Sequence, residues 1–107
     1  MKLLITGSGQ PLGKWLVEAF GQTHQVSGVS RLIFDHRDPD GMASRCEGVD
    51  AILHCDVFDP PEAPDEEILS WASHGTYVLM SAARSAGVER VIVASRLSFF
   101  DAYPVHY

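Results

Sequence analysis

The stretch Thr6-Gly7-Ser8-Gly9-Gln10-Pro11-Leu12-Gly13 follows the apolar run Leu3-Leu4-Ile5 and opens an amphipathic segment. A short buried strand, a glycine-rich turn and a helix start together suit a nucleotide diphosphate. Backbone N–H groups of such a turn face the phosphates, and the helix N-terminus adds a partial positive charge. Gly7 supplies the tight bend, Gly9 the close backbone approach, and Gly13 the room for the helix to lie on the strand. Gln10, Pro11 and Leu12 complete the candidate binding turn.

On either side of the turn the elements alternate. Residues 2 to 6 read as a strand apolar on both faces, as central parallel strands are. A helix runs from about Leu12, with Pro11 in its first turn, a stripe of Leu12, Leu16, Ala19 and Phe20, and Gly21 as its stop. Trp15 lies off the stripe and is expected partly buried against a neighbouring loop. Residues 25 to 34 hold two strand candidates, 26–30 and 32–35, or one long irregular strand. Paired parallel neighbours need a crossover of a dozen or more residues, and only Arg31 separates these two. Either one strand of the pattern is missing, or the crossover helix is lost and the chain runs irregularly.

Asp38-Pro39-Asp40-Gly41 is a turn cluster before a short helix near Met42 to Cys46, and Val49 to Cys55 reads as a strand. Residues 59 to 64 form a proline-rich loop. Asp65 is the expected N-cap of a helix of about 20 residues, with Ile68, Ala72, Thr76, Leu79 and Ala83 on one face and Gly87 at its end. Gly75, in mid-helix, is read as a mark of close packing rather than of a ligand. Val88 to Ser95 is the last strand. The alternation predicts an α/β, Rossmann-like three-layer fold over residues 1–107, with a small parallel sheet of four to five strands. The first strand lies in the middle and the nucleotide site at the carboxyl ends of the strands.

The 107 residues suit one domain with a modest core. Eight basic against 14 acidic residues give a net charge of −6 with no basic cluster, which disfavours nucleic acid. No apolar run reaches the length of a membrane span, and no cleavable signal arrangement precedes the first strand, so a cytoplasmic protein is expected. Cys46 and Cys55 are the only cysteines and lack Cys-x-x-Cys spacing, so two buried thiols are expected rather than a zinc site or a disulfide. His54-Cys55-Asp56 is a poor metal triplet, because adjacent residues of an extended chain point to alternate faces.

Over nearly its whole length the chain resembles the extended short-chain dehydrogenase/reductase family, the NAD-dependent epimerase/dehydratase group. Lys2 to Gly13 looks like that family's first strand and glycine turn, and Asp35-His36-Arg37-Asp38 like its Asp-x-x-Asp segment. Gly48-Val49-Asp50-Ala51-Ile52-Leu53-His54 resembles its fourth strand. Gly75-Thr76-Tyr77, with Ala82-Ala83-Arg84-Ser85-Ala86-Gly87-Val88-Glu89-Arg90-Val91, resembles its long helix and fifth strand. The resemblance implies an NAD or NADP site in the N-terminal Rossmann half, with Asp35, His54 and Cys55 along the cofactor. Ser30-Arg31 after the second strand leans toward NADP, and Arg37 is the rival candidate for a 2′-phosphate.

The departures from the family pattern are specific. The family turn is Thr-Gly-x-x-Gly-x-x-Gly, whereas Gln10 stands here at the middle glycine and a glycine falls one place earlier, at Gly9. Cys55-Asp56 replaces small apolar residues, and a carboxylate at Asp56 beside a dinucleotide is unfavourable unless it turns to solvent or caps a ribose hydroxyl. Weak cofactor affinity is therefore expected. The family's Ser or Thr and its Tyr-x-x-x-Lys pair are absent: Arg96 falls at the hydroxyl position, and neither Tyr103 nor Tyr107 has a lysine four residues later. The resemblance thus implies a cofactor-binding half, truncated after the fifth strand and inactive alone. The alternatives are a noncatalytic sensing or partner-binding module and a degenerate product. Ending there exposes an apolar edge at Arg90 to Ser95, where self-association is expected.

Overall fold

The computed structural model describes residues 1–30, 34–56 and 64–94. Lys2–Thr6 forms β1, and Leu3, Leu4, Ile5 and Thr6 are all buried because layers pack on both faces of this strand. Gln25–Val29 (β2) pairs parallel on one side of β1, with Leu3 opposite Val26. Ala51–His54 (β3) pairs parallel on the other side, with Leu4 opposite Ile52 and Thr6 opposite His54. Arg90–Val93 (β4) pairs parallel with β3, giving the order β2-β1-β3-β4. The parallel sheet with the first strand inside it is as the alternation predicts. Of the second strand candidate, 32–33 lie outside the described residues, and Phe34 and Asp35 are not in a strand.

Pro11–Gly21 (α1) lies on one face of the sheet, where a Cβ built at Gly28 of β2 would come 3.6 Å from Val17 Cγ2. Its contact side differs from the predicted stripe. Gly13 is the buried residue of α1, while Leu12 is 48% exposed and Trp15, expected partly buried, is 64% exposed. The reason is helical geometry: at about 100° per residue Trp15 points roughly opposite Gly13, and Leu16, Val17 and Phe20 flank the contact line.

The opposite face carries the main core. Pro39–Cys46 (α2) and Thr76–Ala86 (α4) pack there, and Met42, Cys46, Val78, Leu79, Ala82 and Ala83 join Leu4, Val29, Val49 and Ile52 in one cluster. The α2 helix starts before Met42, since Pro39 fits the first helical position.

Asp65–Leu69 (α3), a π-helical segment Ser70–Gly75, and α4 follow one another as a single helical run. Pro64, not Asp65, is the N-cap. Its extended backbone (φ −63°, ψ 146°) delivers Asp65, Glu66 and Glu67 into the first turn, where carboxylates suit the helix dipole. The wider π turns rotate the buried face relative to a regular helix. Ala72, expected inward, is exposed, and Gly75, Val78, Leu79, Ala82 and Ala83 are buried. A Cβ at Gly75 would meet only Arg37 Cγ, at an ordinary 3.9 Å, so no close approach requires glycine there. Gly87 ends α4 in the left-handed conformation, as the sequence predicts.

Among the described residues β4 is the outermost strand on its side, and Ile92 and Val93 are each 53% exposed. The proline-rich loop lies outside the described residues apart from Pro64. So do Ser95, Arg96 and both C-terminal tyrosines.

Candidate functional site

The glycine turn leaves the carboxyl end of β1 and enters α1 at once, which places it on the carboxyl rim of the sheet. Its bend is set by Gly7 at φ +75°, a conformation that side chains with a Cβ rarely adopt, and a Cβ there would come 2.8 Å from the backbone of Asp56. Gly7 N–H and Ser8 N–H both donate to Val29 O, at 2.9 and 3.2 Å, and lash the turn to the end of β2. Gln10 N–H donates to Gly7 O at 3.0 Å. A Cβ at Gly13 would lie 2.0 Å from Gly7 O, so the first turn of α1 rests directly on the bend. Pro11 and Leu12 are exposed at the mouth of this rim. Gly9 is exposed, and a Cβ there would come 2.9 Å from Ser30 Oγ.

From the neighbouring strand, His54 and Cys55 reach the same rim. His54 faces Thr6 in register, and their Nδ1 and Oγ1 are 2.6 Å apart, while Cys55 N–H donates to Thr6 Oγ1 at 3.1 Å. Burial pushes the imidazole below its usual 6.5, Asp56 opposing and His36 adding to that shift. A neutral ring that accepts the Thr6 hydroxyl proton at Nδ1 fits this arrangement.

The linkage has a definite sign. In the unfolded chain His54 binds its proton near 6.5, whereas in the folded chain it does so only at lower pH. Its contribution is therefore present above pH 6.5 and lost as the pH falls from there through the folded value. Thermal melts from about pH 7.5 down to about pH 5 are expected to show Tm falling below this point, with a shallower slope in His54→Gln. Identical slopes in the two proteins would remove His54 as the cause.

Residues 34–38, ahead of α2, bring His36 to the same rim. His36, 2% exposed, places Nδ1 at 2.8 Å from Asp56 Oδ2, and Gln10 Nε2 donates to Asp56 Oδ1 at 2.9 Å. Asp56 thus neither turns to solvent nor stays open for a ribose; its side chain is 4% exposed. Trp71, carried by the π segment, stands edge-on to His36 at 5.5 Å, and the Arg37 guanidinium lies 4.6 Å over its ring. Arg37 also makes a bidentate pair with Asp35, both contacts at 3.0 Å, and donates to Ser70 Oγ at 3.1 Å. That hydrogen-bonded pairing holds the Asp35 carboxyl below its usual range.

Of the residues singled out in the sequence, the rim brings together Gly7, Gly9, Gln10, Pro11, Leu12, Gly13, His54 and Cys55. Asp35 sits on the adjoining loop, paired to Arg37, and Arg31 lies outside the described residues. Sequence reasoning missed His36 and the contact between Gln10 and Asp56. The available signal was that both Gln10 and Asp56 break the family pattern.

A parallel sheet with a glycine turn at its carboxyl rim defines the class: a Rossmann-like α/β half-fold. A uronate dehydrogenase of Pseudomonas syringae pv. tomato is 36% identical over 108 residues, covering 88% of this chain and 39% of the relative. An L-arabinose 1-dehydrogenase (NAD(P)(+)) of Haloferax volcanii is 28% identical over 102 residues, covering 88% and 40%. A crystal structure of a short-chain dehydrogenase/reductase superfamily protein from Agrobacterium tumefaciens with bound NAD superposes with a TM-score of 0.80 at 28% identity, covering 89% of this chain and 32% of that one. No protein-family profile matches the chain. The resemblance to the NAD-dependent dehydrogenase and epimerase group is borne out: the homologues and structural neighbours are members of it, matched over their N-terminal part. The chain spans about two-fifths of the length of these curated relatives, at 40% and 39%.

Proposed function

We propose that the chain is a weak binder of a nicotinamide dinucleotide, NAD or NADP, that seats the diphosphate over the glycine turn and turns nothing over by itself. The observation that carries this reading is the turn's place on the rim, with α1 starting directly from it and Gly13 lying on Gly7. The fit to the cofactor is partial. The exposed Gly9 backbone and the start of α1 suit a diphosphate, but the N–H groups of Gly7, Ser8 and Gln10 are engaged within the turn, and the Gln10 and Asp56 side chains stand in the same crevice. Both sequence relatives are dehydrogenases, and the NAD-bound neighbour supports the choice of ligand.

The lean to NADP rests on Arg31, since Arg37 is already engaged by Asp35, Ser70 and Trp71. The expectation of no turnover by this chain is supported by its residues: Lys2 and Lys14 precede every tyrosine, so these 107 residues carry no Tyr-x-x-x-Lys pair to move a proton.

Fluorescence titration of the full chain with NADH and NADPH tests the reading. Saturable binding weaker than micromolar is expected, with no reduction or epimerisation of sugar substrates. Sub-micromolar binding would overturn the weakness. No binding of either dinucleotide at millimolar concentration would overturn the reading itself.

A further inference from the structure

Two of the residues by which this rim departs from the family pattern, Gln10 and Asp56, are 46 positions apart in sequence and bonded to each other. Asp56 directly follows Cys55, which hydrogen-bonds to Thr6 at the end of β1, and its backbone lies against the Gly7 bend. Its carboxylate therefore stands beside the start of α1, where helix geometry favours a negative charge. One oxygen takes the Gln10 amide and the other faces the His36 ring. These are the kinds of donor a phosphate oxygen seeks. His36 is in turn flanked by Trp71 at 5.5 Å and by Phe34 at 6.0 Å, so the carboxylate is held from a packed loop and not from a free surface side chain.

We infer that Asp56 is the specificity-determining residue of this crevice: an internal anion that takes the diphosphate's seat and makes the site discriminate against dinucleotides relative to ligands without phosphate. A side chain 4% exposed cannot hide its charge in solvent, so a diphosphate that takes the same seat must displace it and break the Gln10 bond. The inference rests on the dinucleotide reading and assigns its weak affinity to the charge of Asp56.

The test is Asp56→Asn, which keeps the shape and removes the charge. In the full chain, NADH and ADP are expected to bind at least about tenfold more tightly to the variant, while adenosine, which carries no phosphate, binds as before. Equal NADH affinity in the two proteins would overturn the inference and leave the dinucleotide reading standing. Equal tightening toward adenosine would also overturn it, because Asp56 would then act through pocket shape. NADH binding to neither protein would bring down the dinucleotide reading and the inference with it.

Should the variant fail to melt cooperatively, NMR of the unmodified chain decides. Saturating NADH is expected to shift the Gln10 side-chain amide pair as its bond to Asp56 opens. Bound NADH with that pair unmoved would overturn the inference.

Discussion

Gly13→Ala is expected to destabilise the chain by about 3–5 kcal/mol, a large share of the roughly 5–15 kcal/mol that holds a domain of this size. The new methyl would arrive 2.0 Å from Gly7 O and 2.6 Å from Gly7 C. Neither atom can step aside freely, because Gly7 O accepts from Gln10 N–H and Gly7 N–H is tied to Val29 O. The helix itself must lift away from the bend. Alanine's better helix propensity, about 1 kcal/mol, works in the other direction and is too small to win. Gly21→Ala is the control: nothing lies within 4 Å of its Cβ, and it should leave stability unchanged or slightly raised. Urea midpoints read both. A Gly13→Ala protein as stable as the parent would mean that α1 does not rest on the turn as described.

Ile52→Ala is expected to cost about 2–5 kcal/mol, because the methylenes it removes leave a cavity as well as a lost transfer term. Ile52 is fully buried, lies between Leu4 and Val91 in register, and joins the cluster that includes Val78, Leu79, Ala82 and Ala83. Ile92, one residue beyond Val91 on the outermost of the described strands, is 53% exposed, and Ile92→Ala should cost no more than about 1 kcal/mol. Denaturant unfolding of the pair measures the contrast between the sheet's two faces. Equal losses would place comparable packing on the α1 side.

Much of the fold was legible because it rests on short-range patterns. The runs Leu3-Leu4-Ile5 and Ala51-Ile52-Leu53 are apolar at consecutive positions, and the segments between them carry helix starts and stops, so a parallel sheet was the available solution. The π segment was not legible. Nothing local in Ser70-Trp71-Ala72-Ser73-His74-Gly75 marks a wider turn, and a regular helix therefore put Ala72 inward where the structure puts it out. Trp15 failed for a related reason: the contact line of α1 is set by the close approach at Gly13, not by its most apolar stripe. In the site, the Gly7 bend and its neighbours could be read from spacing. The link from Gln10 to Asp56 and on to His36 could not, since it joins three segments that meet only after the sheet has formed.

The two thiols described above sit in different layers of the molecule. Cys46, the last residue of α2, is sealed in the main core, and Cys55 lies 5% exposed behind the rim. Burial raises the pKa of each, so the reactive thiolate is scarce while the layers stay shut. Alkylation of each sulfur consequently keeps time for a different door: one opens with the helical layer, the other with the crevice, and the slower clock belongs to whichever part of the chain holds together last.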